Sequence, residues 1–256
     1  AATVLDAGVL SGVAALEAAA DDLVSGRADV AIAGAVTPPM GRSLIEGLSG
    51  KIAFSTKDEL CPFDGDACGT VPGEGGAFFV LKRRSDALAA HDRIYALLRG
   101  VATSSESLPI EECASAAGAP ISTIAMIEAD GAGFPEADAA DIDVVQRLWG
   151  MHRPGGALVG IGSVKGNIGH CFAASAAASL AKVAMSLRMR VLPPQIAGRH
   201  PLESISNVNS SAYLLDRARP WIIGTPTLPR RAVVCANDFD GRRAAVLLEE
   251  EPENRR

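Results

Sequence analysis

The sequence predicts an α/β fold, for two reasons. Short apolar runs of the kind found in buried strands alternate with segments whose apolar residues recur every three or four positions, as they do in helices. Hydrophobic residues make up 48% of the 256 residues, whereas aromatic residues supply only 4%. A core built from Ala, Val, Leu and Ile suits closely packed layers of helices and buried sheet.

Strands and helices follow one another along most of the chain. Helices are expected at 9–24, at 85–91 with Ser85 as the N-cap, at 138–150 with Gly150 at the end, and at the Ala-rich stretch 172–190. Strands are expected at 28–36, 76–83, 93–102, 122–128 and 156–164, with a further pair around an Asp-Gly turn within 230–250. Loops are expected at 37–75 and 103–121, and a solvated tail at 251–256.

Charge and cysteine usage exclude several classes of protein. The net charge is −6 and no basic stripe is present, so no nucleic-acid partner is expected. The longest apolar stretch, 171–187, contains Lys182 and is dominated by alanine, which makes it too short and too polar for a membrane span. The five cysteines are scattered without CxxC spacing, which predicts reduced thiols, no metal site and a cytoplasmic location. No cofactor is expected.

Two glycine-containing stretches look like functional motifs but lack the required spacing. Residues 71–78 (VPGEGGAF) have neither the GK[ST] ending of a P-loop nor the spacing of a dinucleotide turn, and a strand follows them rather than a helix. Residues 8–12 (GVLSG) place Ser11 one residue away from the nucleophile position of G-x-S-x-G. The sequence therefore predicts neither a phosphate site nor a serine nucleophile.

The stretch 163–171 (SVKGNIGHC) has the composition of a functional turn. It follows a predicted strand and leads into the Ala-rich helix, which is where α/β proteins present polar groups to a site. Gly166 and Gly169 permit unusual backbone angles there. The ammonium of Lys165 and the imidazole of His170 have the chemistry to polarise a carbonyl or to stabilise developing negative charge. A structural ion pair is the alternative, and the residue types alone do not separate the two.

Several motifs, taken in order, resemble those of the β-ketoacyl synthases, the condensing enzymes of fatty-acid and polyketide assembly. Residues 62–83 are similar to the family's PFD…GEG region, and residues 127–141 (IEADGAGFPEADAAD) occupy the place of its HGTGT motif. Residues 164–170 (VKGNIGH) match its K-x-N-x-G-H motif, and residues 192–194 match a proline pair after the following helix. The resemblance covers almost the whole chain and implies a thiolase-like fold of five layers, αβαβα.

The resemblance also locates a missing nucleophile. These enzymes attack with a Cys at the N-terminus of a buried helix, where the helix dipole lowers the pKa of the thiol. Residues 5–12 (LDAGVLSG) correspond to that motif, and the spacing from Asp6 to residues 25–26 places Val9 at the position of the Cys. Valine provides no nucleophile, so the resemblance implies that no acyl thioester forms here.

A second departure lies at Asp130, where the family has a histidine that hydrogen-bonds to the thioester carbonyl. An ionised aspartate would instead repel the developing enolate. The family's Gly-Phe-Gly-Gly-type loop is altered to DFDG at 238–241, whereas Lys165 and His170 are retained. The resemblance therefore implies a degenerate site made of Val9, Asp130, Lys165 and His170.

This profile resembles that of the chain-length factor, the ketosynthase-β subunit of type II polyketide synthases. The resemblance implies a non-catalytic subunit that forms a heterodimer with a Cys-bearing ketosynthase, shapes the chain tunnel and meets an acyl carrier protein bearing a phosphopantetheine-bound chain. Residues 1–100 would be the remainder of the N-terminal half and residues 101–256 the C-terminal half. The family's first strands have no counterpart and the chain opens without Met, so we expect that a beginning was lost or that another polypeptide supplies it.

Two other functions stay open on the sequence alone. Lys165 and His170 would be the acting residues if the chain decarboxylates malonyl-carrier protein without condensation, and a purely structural dimerisation domain would need neither. Cys171 is disfavoured as a relocated nucleophile because its position ordinarily packs in the core. Trp149 and Phe172 are interpreted as core anchors.

Overall fold

The computed structural model describes residues 2–152, 158–195, 199–223 and 228–252. In chain order the helices of these residues are α1 (Ser11–Val24), α2 (Arg42–Leu48), α3 (Arg84–Ala89), α4 (Ile110–Ala116), α5 (Pro135–His152), α6 (Lys165–Ile168), α7 (Ser175–Met189) and α8 (Glu203–Ser206). The strands are β1 (Val30–Thr37), β2 (Gly75–Lys82), β3 (Leu97–Ser104), β4 (Ile124–Glu128), β5 (Val159–Gly162), β6 (Val191–Leu192), β7 (Ala212–Leu214), β8 (Arg219–Pro220), β9 (Arg231–Asn237) and β10 (Arg243–Glu249). Short 3-10 turns at Gly8–Leu10 and Phe172–Ala174 lead into α1 and α7, and a third at Ile121–Thr123 precedes β4.

A six-stranded mixed sheet forms the centre of the molecule, in the order β3–β10–β9–β4–β5–β7. Strands β9, β4, β5 and β7 are parallel to one another, while β10 runs antiparallel to both β3 and β9. The β9–β10 pair turns at Asp240-Gly241, as the sequence predicts. Parallel strands bring their carboxyl ends to one edge of the sheet, and this edge carries the candidate site.

Helices pack on both faces of this sheet. One face contacts α4 and α5 through a cluster that includes Ile110, Ile142 and Trp149, which confirms Trp149 as a core anchor. The other face contacts α1 and α7 through a cluster that includes Val13 and Leu180. The alternation of small and branched apolar residues in the sequence thus fills a core on each side of the sheet.

A separate antiparallel pair, β1–β2, packs on the far side of α1 and α7. Ala35, Ala77 and Phe79 on its inner face contact Ala174 and Ala177. The described residues therefore form four layers: outer helices, six-stranded sheet, central helices and the β1–β2 pair.

Several local predictions from the sequence are wrong. Helices α2 and α4 lie in segments predicted to be loops. Ser85 is not an N-cap, because α3 begins at Arg84 and the Ser85 hydroxyl contacts the Asp86 side chain instead. Gly150 lies inside α5, which continues to His152.

Two boundary predictions also fail. Strand β3 begins at Leu97, four residues after the predicted start. Glu251 is buried and paired with Arg84, so the predicted solvated tail does not begin there. Residues 253–256 of that tail and residues 156–157 of a predicted strand lie outside the described residues.

Candidate functional site

Asp130 and Lys165 meet at the carboxyl edge of the central sheet. Asp130 lies just after β4 and Lys165 just after β5, and these strands are parallel neighbours. The Lys165 Nζ lies 2.5 Å from Asp130 Oδ1 and 3.0 Å from the Asp130 backbone oxygen. The two side chains are only 4% and 7% exposed. The structural ion pair considered from the sequence is therefore the arrangement found.

The Asp130 carboxylate and carbonyl are held from two further directions. The backbone N–H of Asn237 donates to Asp130 Oδ1 over 3.1 Å, and the Ser163 hydroxyl donates to the Asp130 carbonyl over 2.8 Å. These contacts fix the carboxylate towards Lys165. The positive charge of Lys165 is therefore compensated inside the protein.

His170 is buried and neutral. Its Nδ1 accepts a hydrogen bond from the Phe172 N–H over 3.0 Å, so the ring proton is assigned to Nε2. Burial, with the nearby charge of Lys165, lowers the His170 pKa to about 3. Nε2 has no partner among the described residues and remains a buried donor.

The backbone around His170 is pinned by the glycine-rich loop that precedes β2. The His170 N–H donates to Val71 O over 2.7 Å, and the Gly73 N–H donates back to His170 O over 2.9 Å. Gly169 has a φ of 76°, and a Cβ at Gly73 would lie 2.3 Å from the Ile168 oxygen. The loop at 71–74, part of the stretch that fails as a phosphate motif, therefore positions the backbone of the histidine.

Two phenylalanines surround the imidazole. The Phe239 ring stacks on His170 with centroids 5.4 Å apart, and Phe172 lies 4.8 Å away. Phe172 is only partly buried and has a φ of 41°, so the prediction of a core anchor is wrong for this residue. Its neighbours belong to the site rather than to the interior of the helix layers.

Val9 is buried in the 3-10 turn that leads into α1. This turn packs against the Phe172–Ala174 turn and against β9. The adjacent Gly8 has a φ of 63°, and a Cβ there would lie 2.4 Å from Asp238 Oδ2. Arg242 donates to that carboxylate over 2.8 Å, so the altered DFDG loop closes directly over the turn that holds Val9.

Comparison with known proteins identifies the family. Residues 1–87 match the β-ketoacyl synthase N-terminal domain, and residues 95–199 match the β-ketoacyl synthase C-terminal domain. The chain belongs to the β-ketoacyl synthase family. It is 31% identical, over 98% of its length, to the spectinabilin polyketide synthase system protein NorA' of Streptomyces orinoci. It is 30% identical, over the same share, to the phthioceranic/hydroxyphthioceranic acid synthase of Mycobacterium tuberculosis.

Solved ketosynthases confirm the predicted thiolase-like fold. The ketosynthase from module 6 of the bacillaene synthase of Bacillus subtilis 168 superposes with a TM-score of 0.89 at 25% identity. An oxazolomycin ketosynthase domain of Streptomyces albus JA3453 gives a TM-score of 0.89 at 29% identity. Each comparison covers 96% of this chain but 46% of the solved chain, and the two curated relatives are covered over 7% and 12% of their lengths. The chain thus spans about half of a solved ketosynthase.

The site of this β-ketoacyl synthase homologue offers one free hydrogen-bond donor among the described residues and no nucleophile at Val9. Burial raises the pKa of the Cys171 thiol, which keeps it protonated and argues against a relocated nucleophile. Cys68 is different: hydrogen bonding with Ser55 lowers its pKa to about 7 at an exposed position. It lies outside the residues that contact Lys165 or His170.

The described residues contain one trio with metal-ligand chemistry, Asp64, Asp66 and His200. His200 Nδ1 lies 2.6 Å from Asp66 Oδ2, and Asp64 accepts the His200 N–H over 2.9 Å. These contacts join two loops and use the potential ligand atoms. We therefore assign the trio a structural role.

The described part of the chain contains no helix with the length and apolar character needed to cross a bilayer.

An open cavity of about 840 Å³ borders the Lys165–Gly169 segment. Its lining includes Lys57, Asp58, Glu59 and Arg199 as well as the acidic loop beside His200. Leu60, Val71, Pro72 and Ile168 also line the cavity, so its wall is mixed in charge and polarity and selects no ligand class.

Two buried acids that were not predicted from the sequence lie next to the site. Asp138 accepts the N–H groups of Phe63 and Ala132, and burial raises its pKa to about 7. Asp141 contacts Arg243 and Asn237, and burial raises its pKa to about 6. The missed signal was helical periodicity, since positions 138 and 141 share a face with the core positions 142, 145 and 148.

Proposed function

We propose that the chain is a non-catalytic ketosynthase-like subunit of the chain-length-factor type, which pairs with a Cys-bearing ketosynthase in polyketide or fatty-acyl assembly. The observation that carries the proposal is the buried ion pair between Asp130 and Lys165. At position 130 a carboxylate stands where the family has a histidine donor, and this carboxylate neutralises the positive charge of Lys165. Together with Val9, it removes both the nucleophile and the cationic stabilisation that condensation requires.

The retained scaffold supports a binding role. The turn containing Val9, the loop over it and the His170 backbone are all closely packed, although the nucleophile is absent. A subunit that contributes a surface or part of a tunnel needs this scaffold and does not need the thiol. Its partners would be the catalytic ketosynthase and an acyl carrier protein with a phosphopantetheine-bound chain.

Malonyl decarboxylation is the second candidate, and one observation favours it. The buried Nε2–H of His170 has no partner among the described residues and has the chemistry to donate to a thioester carbonyl. The compensated Lys165 argues against this activity, because the carboxylate of Asp130 lies beside the position where an enolate charge would develop. A purely structural dimerisation domain is the third candidate and uses neither group chemically.

Light scattering on the chain co-purified with a Cys-bearing ketosynthase from the same organism tests the proposal. The expected result is a stable one-to-one complex that makes a product of defined length, whereas the chain alone makes none. A chain that forms only homodimers and binds no ketosynthase would overturn the proposal. Loss of malonyl-carrier decarboxylation in both Lys165→Ala and His170→Ala, each with the circular dichroism spectrum of the parent, would instead support the decarboxylase.

A further inference from the structure

The side chain of Asp138, in the first turn of α5, joins three segments of the chain. Its Oδ2 accepts the Phe63 N–H over 3.1 Å, and its Oδ1 accepts the Ala132 N–H over 3.2 Å. Phe63 lies in the loop between α2 and β2, and Ala132 lies in the turn after β4. Asp138 is buried, so both hydrogen bonds are made inside the protein.

The segment that begins at Phe63 forms part of a cavity wall together with a second segment, 199–202. The Leu202 N–H donates to Phe63 O over 2.9 Å, and the Gly65 N–H donates to His200 O over 2.8 Å. Four side chains of these two segments line the open cavity of about 840 Å³: Asp64, Asp66, Arg199 and His200. The hydrogen bond from the Phe63 N–H to Asp138 therefore attaches this part of the cavity wall to α5.

Phe63 has a strained backbone. Its φ is 62°, a value that residues other than glycine rarely adopt. Its ring is fully buried in the core cluster on the α5 side of the sheet, so the ring is fixed while the backbone carries the strain. The hydrogen bond to Asp138 is one of the contacts that hold Phe63 in this conformation.

The protonation state of Asp138 decides how well it holds the two N–H groups. An ionised carboxylate offers two acceptor oxygens, one for each N–H, whereas a protonated carboxyl carries an O–H donor on one of them. The added proton therefore competes with one of the two N–H groups. Burial raises the pKa of Asp138 to about 7, although the hydrogen bond from Phe63 opposes the rise.

The charged groups that face Asp138 come from three elements. Asp130, in the turn after β4, and Asp141, one turn further along α5, favour the protonated form, and Lys165 of α6 favours the ionised form. Asp64, in the loop on the cavity side, instead accepts N–H groups of the cavity wall. Because Lys165 is paired with Asp130, the ionised Asp138 relies on its two N–H donors.

We infer that Asp138 is a proton-controlled clasp on the cavity wall: its ionised carboxylate holds the Phe63 N–H, and protonation near neutral pH releases it. The clasp tightens as the pH rises. The contribution of Asp138 to overall stability changes in the opposite direction, because the buried charge that accepts both N–H groups is itself costly to the fold. The clasp acts whether or not the chain is a non-catalytic subunit.

NMR spectroscopy of the full chain between pH 6 and pH 8.5 tests this inference. The Asp138 carboxyl carbon and the Phe63 amide proton should titrate together, with a midpoint at about 7. The protection of the Phe63 amide against hydrogen exchange should rise about tenfold over this range, after correction for the intrinsic exchange rate. The amide of Val246, a buried residue of β10, reports opening of the whole fold and should show no parallel rise.

Two variants separate the clasp from general effects of pH. Asp138→Asn carries one acceptor oxygen at every pH, so protection of the Phe63 amide should lose its pH dependence. Asp141→Asn keeps the clasp and removes a neighbouring negative charge, so the midpoint should move to lower pH.

Three results would overturn the inference. They are a Phe63 amide that does not titrate between pH 6 and pH 8.5, a titration that persists in Asp138→Asn, and protection that changes in parallel at Phe63 and Val246. If Asp138→Asn does not fold, the joint titration of Asp138 and Phe63 in the parent chain decides the question.

Discussion

Lys165 and Asp130 lie at the ends of adjacent parallel strands, and the Lys165 Nζ lies 2.5 Å from Asp130 Oδ1 in a buried ion pair. In this pair, the lysine of the VKGNIGH stretch contacts the residue at the position where the motif resemblance led us to expect a histidine. A buried charge is tolerated when it is paired and is costly when its partner is removed. The pair therefore links the candidate site to the stability of the fold.

Removal of either charge should destabilise the protein more than removal of both. Lys165→Met or Asp130→Asn should lower the free energy of unfolding by about 3 kcal/mol, because each leaves a buried charge without its partner. The double variant should recover at least about 1 kcal/mol relative to the sum of the single losses. Urea unfolding at pH 7 of the parent, the two single variants and the double variant measures these free energies. Additive losses would contradict a coupled pair, and the exposed Arg42–Glu46 pair provides a control with coupling near zero.

A thiol restored at Val9 should not restore condensation. Val9→Cys would place the sulfur in the turn before α1, where the helix N-terminus favours the thiolate, so iodoacetamide should label it. Condensation should still be absent, because Asp130 remains beside the site of developing negative charge. Acyl-carrier condensation assays on Val9→Cys and on Val9→Cys/Asp130→His compare the two effects. Both proteins need Cys68→Ser, since the exposed Cys68 thiol has a pKa of about 7 and would also be labelled.

Condensation by Val9→Cys alone would show that Asp130 does not block the reaction. Labelling without condensation is the expected result.

His170 should make the fold sensitive to acid. Its pKa is lowered from 6.5 to about 3 by burial, so between these values the unfolded chain binds the proton that the folded chain does not. The stabilisation linked to this group is therefore present above about pH 6.5 and is lost as the pH falls towards 3, by about 5 kcal/mol in total. The variant His170→Gln should lose this slope, as measured by urea unfolding between pH 4 and 7. An unchanged slope would contradict the burial argument.

Asp138 should act in the opposite direction. Burial raises its pKa from 3.8 to about 7, so the folded chain holds a proton that the unfolded chain releases in this range. The contribution of Asp138 to the free energy of unfolding is therefore greatest at low pH and declines as the pH rises from about 4 to 7. The variant Asp138→Asn should therefore gain stability with rising pH more steeply than the parent. The same urea series checks this sign, and a shallower slope would contradict it.

Gly8 should be less replaceable than another glycine with a similar backbone angle. Gly8→Ala would both strain the backbone and place a Cβ 2.4 Å from Asp238 Oδ2, with an expected loss of about 2 kcal/mol. Gly26 has a φ of 73° and open space around it, so Gly26→Ala should cost only the backbone part, about 1 kcal/mol. Thermal and urea unfolding of the two variants measure the difference. Equal losses would mean that the DFDG loop moves freely away from Val9.

The sequence predicted the long elements well because each has a strong local signal. Helix α1 and the Ala-rich α7 follow from apolar periodicity, and the β9–β10 pair follows from its Asp-Gly turn. Helices α2 and α4 are seven residues each, which is too short for periodicity to separate them from loops. The apolar run at 28–36 indicated a strand but could not reveal that one face of the observed strand, β1, is left exposed.

The candidate site was predictable in composition but not in its contacts. Motif resemblance pointed to Val9, Asp130, Lys165 and His170, and the structure shows that Asp130 and Lys165 contact each other directly. Such a contact between residues distant in sequence depends on the pairing of β4 with β5 and leaves no local pattern. The ring contacts of Phe172 were missed because the residue lies in a 3-10 turn with a positive φ, ahead of α7, and not within the predicted helix.

The pairing of Lys165 with Asp130 also bears on which substitutions the site can accept during evolution. A mutation that replaces Asp130 with a neutral residue leaves a buried ammonium, and one that replaces Lys165 leaves a buried carboxylate. Each single step towards a neutral site therefore passes through a less stable protein. The lysine is retained by the requirements of folding, whether or not selection acts on its chemistry.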